Sequence, residues 1–118
     1  MAKTTIYHNP RCSKSRQTLA LIEEAGIEPE IVHYLDAPPD KKTLASLVDM
    51  LGITPRELLR KGEQEYKDLK LADKSLSDDE LIEAMVTAPK LIERPIVVKD
   101  SRAVLGRPPE NVLDLIGT

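Results

Sequence analysis

Strand-like sequence at both ends of the chain frames a long helical middle, and that order limits the available folds more than any other feature. Thr4-Thr5-Ile6-Tyr7 is β-branched and aromatic and stops at His8-Asn9-Pro10. From about Ser13 to Ala25, residues Ser15, Leu19, Ile22 and Ala25 fall near one helical face, and Gly26 supplies a stop. Ile31 to Leu35 reads as a second strand, with His33 inside it. A strand, helix and strand in this order pack as a parallel crossover.

The middle changes period. Leu44, Leu47, Val48 and Leu51 stand at i, i+3, i+4 and i+7. Thr54-Pro55-Arg56-Glu57 and Ser77-Asp78-Asp79-Glu80 are capping boxes, and each opens a helix. Lys61 to Lys74 reads as a short helix plus loop. The end returns to strands at Pro95-Ile96-Val97-Val98 and Ala103-Val104-Leu105, joined by a turn over Lys99-Asp100-Ser101-Arg102. Val112, Leu113, Leu115 and Ile116 form a last amphipathic helix. The expected fold is α/β: a thioredoxin-like, mixed four-stranded sheet with a helical insertion over about 40–88, all within one domain spanning 1–118. The pairs Pro38-Pro39 and Pro108-Pro109 read as approaches to helices rather than as domain boundaries.

Composition narrows the function. With 118 residues, the chain can bury a core without disulfides or a structural metal. It carries 17 Lys and Arg against 20 Asp and Glu and lacks both Trp and Phe. That argues against a nucleic-acid surface and against a base-stacking platform. No apolar run reaches the roughly 20 residues of a membrane span, and no secretory leader is evident, so a cytoplasmic location is expected.

The one cysteine, Cys12, excludes an internal disulfide and a Cys-rich zinc site. It lies between a strand end and a helix start. Unpaired backbone N–H groups and the positive end of the helix dipole favour thiolate over thiol at that place. Arg11, Lys14 and Arg16 add positive charge nearby. Ser15 occupies the position where a C-x-x-C pair would have its second sulfur, so the chain needs an external thiol to complete a redox cycle. A phosphatase-type loop also fails, because Thr18 stands where its arginine would be.

Arg60, Arg94 and Arg107 are candidate oxyanion ligands, since a guanidinium offers forked, charge-assisted hydrogen bonds. The sequence does not show that the three converge. His8, four residues before Cys12, is a candidate support for the thiolate. His33 reads as structural or solvent-facing. Two histidines and one cysteine without matching spacing argue against a bound metal.

Tyr7-His8-Asn9-Pro10-Arg11-Cys12-Ser13-Lys14-Ser15-Arg16 resembles the active-site opening of the glutaredoxin-linked arsenate reductases of the ArsC family. Leu58-Leu59-Arg60-Lys61, Glu93-Arg94-Pro95-Ile96-Val97-Val98 and Gly106-Arg107-Pro108-Pro109-Glu110 are similar to its three later signature segments. The resemblance covers nearly the whole chain and is nearest to the short chromosomal type, which is related to Spx-type proteins. It implies that Cys12 is the nucleophile, that His8 supports it, that Arg60, Arg94 and Arg107 bind the oxyanion, and that Pro95 is a cis-proline. It further implies arsenate as substrate, glutathione as co-substrate, glutaredoxin as partner, no bound cofactor and a monomer. Two other readings stay open: a glutathione-linked thiol oxidoreductase acting on another substrate, and an Spx-like regulator that binds RNA polymerase.

Overall fold

Residue alternation along the first strand sets the sheet. In the computed structural model, which describes residues 3–117, β1 (Thr4–Tyr7) buries Thr4 and Ile6 and leaves Thr5 and Tyr7 half-buried. It runs parallel to β2 (Glu30–Val32) and antiparallel to β3 (Ile96–Lys99), which pairs antiparallel with β4 (Arg102–Leu105). The strand order is β2-β1-β3-β4, a mixed four-stranded sheet. Ile6 pairs with Val97 in register. These two share a core with Ile22 of α1 (Ser13–Glu24) and with Val112, Leu115 and Ile116 of α6 (Asn111–Ile116).

By its contacts the chain forms two compact units. One holds the residues up to Ala37 together with those from Arg94 onward, and the other is Pro38–Glu93. Pro38-Pro39 thus lies at the passage into the second unit as well as ahead of a helix, a double duty not read from the sequence. In the second unit, α2 (Lys41–Leu51) starts on Asp40, whose side chain accepts from the Thr43 N–H. The capping boxes at Thr54 and Ser77 are both formed and open α3 (Pro55–Leu58) and α5 (Asp78–Thr87). Between them α4 (Gln64–Asp68) is the short helix expected in the polar stretch. A 3₁₀ turn over Pro89–Leu91, which the sequence analysis did not identify, follows α5 and packs on it.

Two local expectations need correction. β2 starts at Glu30 and ends at Val32 rather than running to Leu35. The N–H groups of Asp36 and Ala37 both bond to the His33 carbonyl, which turns the chain and places His33 just beyond the strand. On α1, Ser15 and Ile22 are buried and Leu19 is half-buried as expected, but Ala25 is exposed and Thr18 is buried beside them. Arg60 lies beyond the end of α3, after a bridge between Leu59 and Ile92. The Arg94–Pro95 bond is cis as expected, and Arg107–Pro108 is cis as well. No helix among the described residues is long and apolar enough to cross a membrane.

Candidate active site

Cys12 is the N-cap of α1, with extended backbone angles, and its carbonyl accepts the first helical bond from the Arg16 N–H at 3.0 Å. The loop before it is tied down by short bonds. The Cys12 N–H donates to the Asn9 carbonyl and the Arg11 N–H to Asn9 Oδ1, both at 3.0 Å. Arg16 Nη1 donates to the Pro10 carbonyl at 2.9 Å. Local sequence therefore presents the sulfur at a helix start, half-exposed.

Two arginines from the far end of the chain meet that sulfur. Arg94 hydrogen-bonds to it, and Arg107 Nη1 approaches Sγ at 4.0 Å while donating to the Arg94 carbonyl at 3.3 Å. Asn111 Nδ2 donates to the carbonyls of Arg107 at 3.1 Å and Leu105 at 3.3 Å, which holds the segment after β4. Burial pushes the Cys12 thiol up. The Ser15 N–H, then the hydrogen bond and charge of Arg94, then the Lys14 N–H pull it down by more, so the thiol ionises below its ordinary value. The result is a thiol that ionises more readily and sits beside two guanidinium groups, an arrangement suited to attack on an electrophilic anion that would otherwise be repelled.

One ring nitrogen of His8 is bonded to Ser15. Its Nδ1 lies 2.7 Å from the Oγ of Ser15, which also accepts the Asn9 N–H at 3.0 Å. The Ser15 hydroxyl keeps a second lone pair and its own O–H, so the direction of this bond follows the His8 tautomer. His8 is 5% and Ser15 0% exposed. Burial first, then the neighbouring His33 and Arg16 against a weaker pull from Glu23, hold the His8 pKa below its ordinary value, so the ring is neutral near neutral pH. His33 meets it edge-on, with ring centroids 6.0 Å apart.

Arg60 belongs to the Pro38–Glu93 unit and is held there by carboxylates. Its Nε bonds Glu63 at 3.2 Å and its Nη1 bonds Glu93 at 2.6 Å. The sequence analysis missed three contributors. Ser15 was read as the place of a missing second cysteine and as part of one face of α1, but not as the partner of His8, seven positions before it. Glu63, at i+3 from Arg60, had a local signal, whereas the Glu93 contact spans 33 positions and had none. Among the described residues, no three or more His, Cys, Asp or Glu side chains group to hold a metal ion.

Known proteins share both sequence and fold. A sequence model of the ArsC family matches residues 7–115. The chain is 58% identical over 113 residues to uncharacterized protein YfgD of Escherichia coli strain K12, covering 95% of each chain. It is 47% identical over 116 residues to an arsenate reductase of Escherichia coli, covering 98% of this chain and 82% of the relative. The solved structure of an arsenate reductase from Vibrio cholerae matches with a TM-score of 0.92 at 51% identity, covering 95% of this chain and 96% of that one.

Proposed function

The chain belongs to the ArsC family, and we propose that it is a thiol-dependent arsenate reductase with Cys12 as nucleophile. The observation that supports this most is the sulfur at the start of α1 with Arg94 and Arg107 beside it. Arsenate is the oxyanion such a pair of guanidinium groups would hold, and the thioredoxin-like frame would present it to the thiolate. The Cys12 thiolate attacks arsenic(V), an oxygen leaves as water, and an S–As bond forms. Glutathione thiolate then attacks the Cys12 sulfur. The S–As electron pair stays with arsenic, which becomes arsenic(III) and leaves as arsenite. Cys12 is left in a mixed disulfide, which glutaredoxin reduces to restore the thiol. Arg94 and Arg107 offset the charge that builds as one anion approaches another. Arg60 is assigned by the same reading to the oxyanion. A monomer in the glutathione-rich cytoplasm, working as one domain, suits this cycle.

The test is purified protein with arsenate, glutathione and glutaredoxin, assayed for arsenite. Arsenite formation that depends on all three supports the reading, and its absence overturns it. Arg94→Lys should lower arsenate turnover by about tenfold or more, because an ammonium lacks the guanidinium fork. Alkylation of Cys12 by neutral iodoacetamide should change far less.

His8 is a positioning residue here, acting through Ser15. Because the Cys12 thiol is lowered, its alkylation rate should rise with pH to a midpoint below the ordinary cysteine value of about 8.5. His8→Ala removes the partner that fixes the Ser15 hydroxyl, and the Ser15 N–H then serves the sulfur less well. The midpoint should move up, and alkylation at pH 7 should slow by about threefold or more. A neutral imidazole gives no charge to the thiolate, so an unchanged midpoint would make His8 a packing residue only.

A further inference from the structure

A redox cycle on Cys12 takes a second thiol from outside, because the chain has a single cysteine. Within the unit that carries Cys12, a cavity of about 290 Å³ opens beside the loop leading to it, near the lower end of the size range of small-molecule sites. One wall is that loop, His8 to Arg11, and the other is the turn after β2, His33 to Asp36. The walls join where the His8 N–H donates to the Val32 carbonyl at 2.8 Å, and there the two imidazole rings lie edge-on. Hydrogen bonds fix both walls. The Arg11 N–H bonds Asn9 Oδ1 at 3.0 Å and Arg16 Nη1 bonds the Pro10 carbonyl at 2.9 Å. Across the cavity, the N–H groups of Asp36 and Ala37 bond the His33 carbonyl at 3.0 and 2.9 Å. The cavity is therefore preformed rather than made by its ligand.

The two walls carry opposite charges. Arg11 lines one and Asp36 the other, both side chains are exposed, and among the described residues neither is held in an ion pair. Leu35, 37% exposed, adds an apolar surface beside Asp36. Such a place suits a zwitterion better than an arsenate dianion, whose charge Asp36 opposes. We propose that this cavity binds the small peptidic thiol that follows arsenate in the cycle, with a carboxylate of the thiol on Arg11, its ammonium on Asp36 and its methylenes against Leu35. Glutathione is of this class. The proposal rests on reading Cys12 as the nucleophile of a thiol-dependent reductase and adds where the thiol sits. Arg11 directly precedes Cys12, so a thiol anchored on it is held at the loop that carries the nucleophile. The thiol gives its proton to solvent, and its sulfur bonds to Cys12 Sγ as the S–As bond breaks and leaves its electron pair on arsenic.

The probe is S-methylglutathione, which keeps every charge of glutathione and has no thiol to react. Its binding to the full chain is followed by NMR at the rings of His8 and His33, which line the cavity. Both ring signals should shift. Arg11→Gln and Asp36→Asn should each weaken binding by about threefold, and the double variant by about tenfold, the scale of exposed ion pairs. An analogue of the probe without the ammonium should bind the parent protein about threefold more weakly and lose nothing further in Asp36→Asn. In the arsenite assay, Asp36→Asn should raise KM for glutathione by about threefold and leave KM for arsenate within about twofold. Ring signals that do not move up to about 10 mM probe, or variants that bind it as the parent does, overturn the proposal. Probe bound at both rings of a protein that makes no arsenite would support the cavity and overturn the reductase reading. Arsenite made by a protein whose cavity takes no probe would do the reverse.

Discussion

Replacing Cys12 with serine should abolish arsenite formation, by at least about 10⁴-fold, and should slightly stabilise the fold. Both parts follow from the same position. Cys12 is the one sulfur nucleophile in the chain, and a serine hydroxyl is too weakly acidic to be ionised by two guanidinium groups and two N–H groups. It also cannot enter the mixed disulfide that the cycle requires. Loss of a covalent nucleophile commonly costs four to six orders of magnitude, roughly what removal of a catalytic serine costs elsewhere. Serine is nevertheless a strong N-cap, because a hydroxyl oxygen accepts the first-turn N–H groups that Cys12 meets better than sulfur does. The variant should gain about 0.5–1 kcal/mol, a rise of a few degrees in melting temperature. Arsenite production and thermal melting are measured on the same preparation. Arsenite made at the parent rate would remove the proposed mechanism, and a large loss of stability would show that the sulfur is structural.

Gly106→Ala should produce the largest loss of stability, with activity falling as a consequence. A Cβ on Gly106 would collide with Thr18 Oγ1 and would lie 2.8 Å from Pro95 Cγ and 2.9 Å from Thr18 Cγ2. None of these neighbours can move cheaply. Thr18 is fully buried, and its hydroxyl bonds the Lys14 carbonyl at 2.8 Å and the Gly106 carbonyl at 3.3 Å. Pro95 is held from the other side, because the Gly106 N–H donates to its carbonyl at 3.0 Å. Gly106 is the point where α1, the start of β3 and the end of β4 come within backbone distance. The next residue is Arg107, whose reach to Cys12 depends on that closeness. Overpacking of this kind costs about 1–3 kcal/mol and shifts backbone segments to relieve itself. Melting should drop by roughly 10 °C, and the Cys12 alkylation midpoint should rise as Arg107 and Arg94 draw back. Gly106→Ala protein with parent stability and parent alkylation would show that the contact is loose.

The same close approach explains one error in the sequence analysis. Thr18 was not placed on the buried face of α1, because a threonine mid-helix suits solvent and nothing nearby in the chain calls for it. Its burial is set by Gly106, 88 positions away. The second strand was read too long for a related reason. Tyr34 and Leu35 have strand character, but the two N–H groups that bond the His33 carbonyl turn the chain first. Apolar residues do not by themselves distinguish a strand from a turn, and here Tyr34 is buried while Leu35 is exposed.

What the sequence determined by itself lies within four or five residues of where it is written. The capping boxes at Thr54 and Ser77, the apolar face of α2, the start of α1 on Cys12 and the stop at Gly26 are made by i to i+3 and i to i+4 interactions, so local spelling is enough. The strand order could be narrowed in the same way, because a strand, helix and strand followed by a hairpin leaves few topologies. Tertiary structure alone decided which charges meet. It brought Arg94 and Arg107 to Cys12, bonded the ring of His8 to Ser15, and bound Arg60 to Glu93. An arginine written in a sequence has a charge but no direction. Its partner depends on where distant backbone segments end, and those ends are fixed by the packing of Ile6, Ile22 and Val97 and by the space left at Gly106.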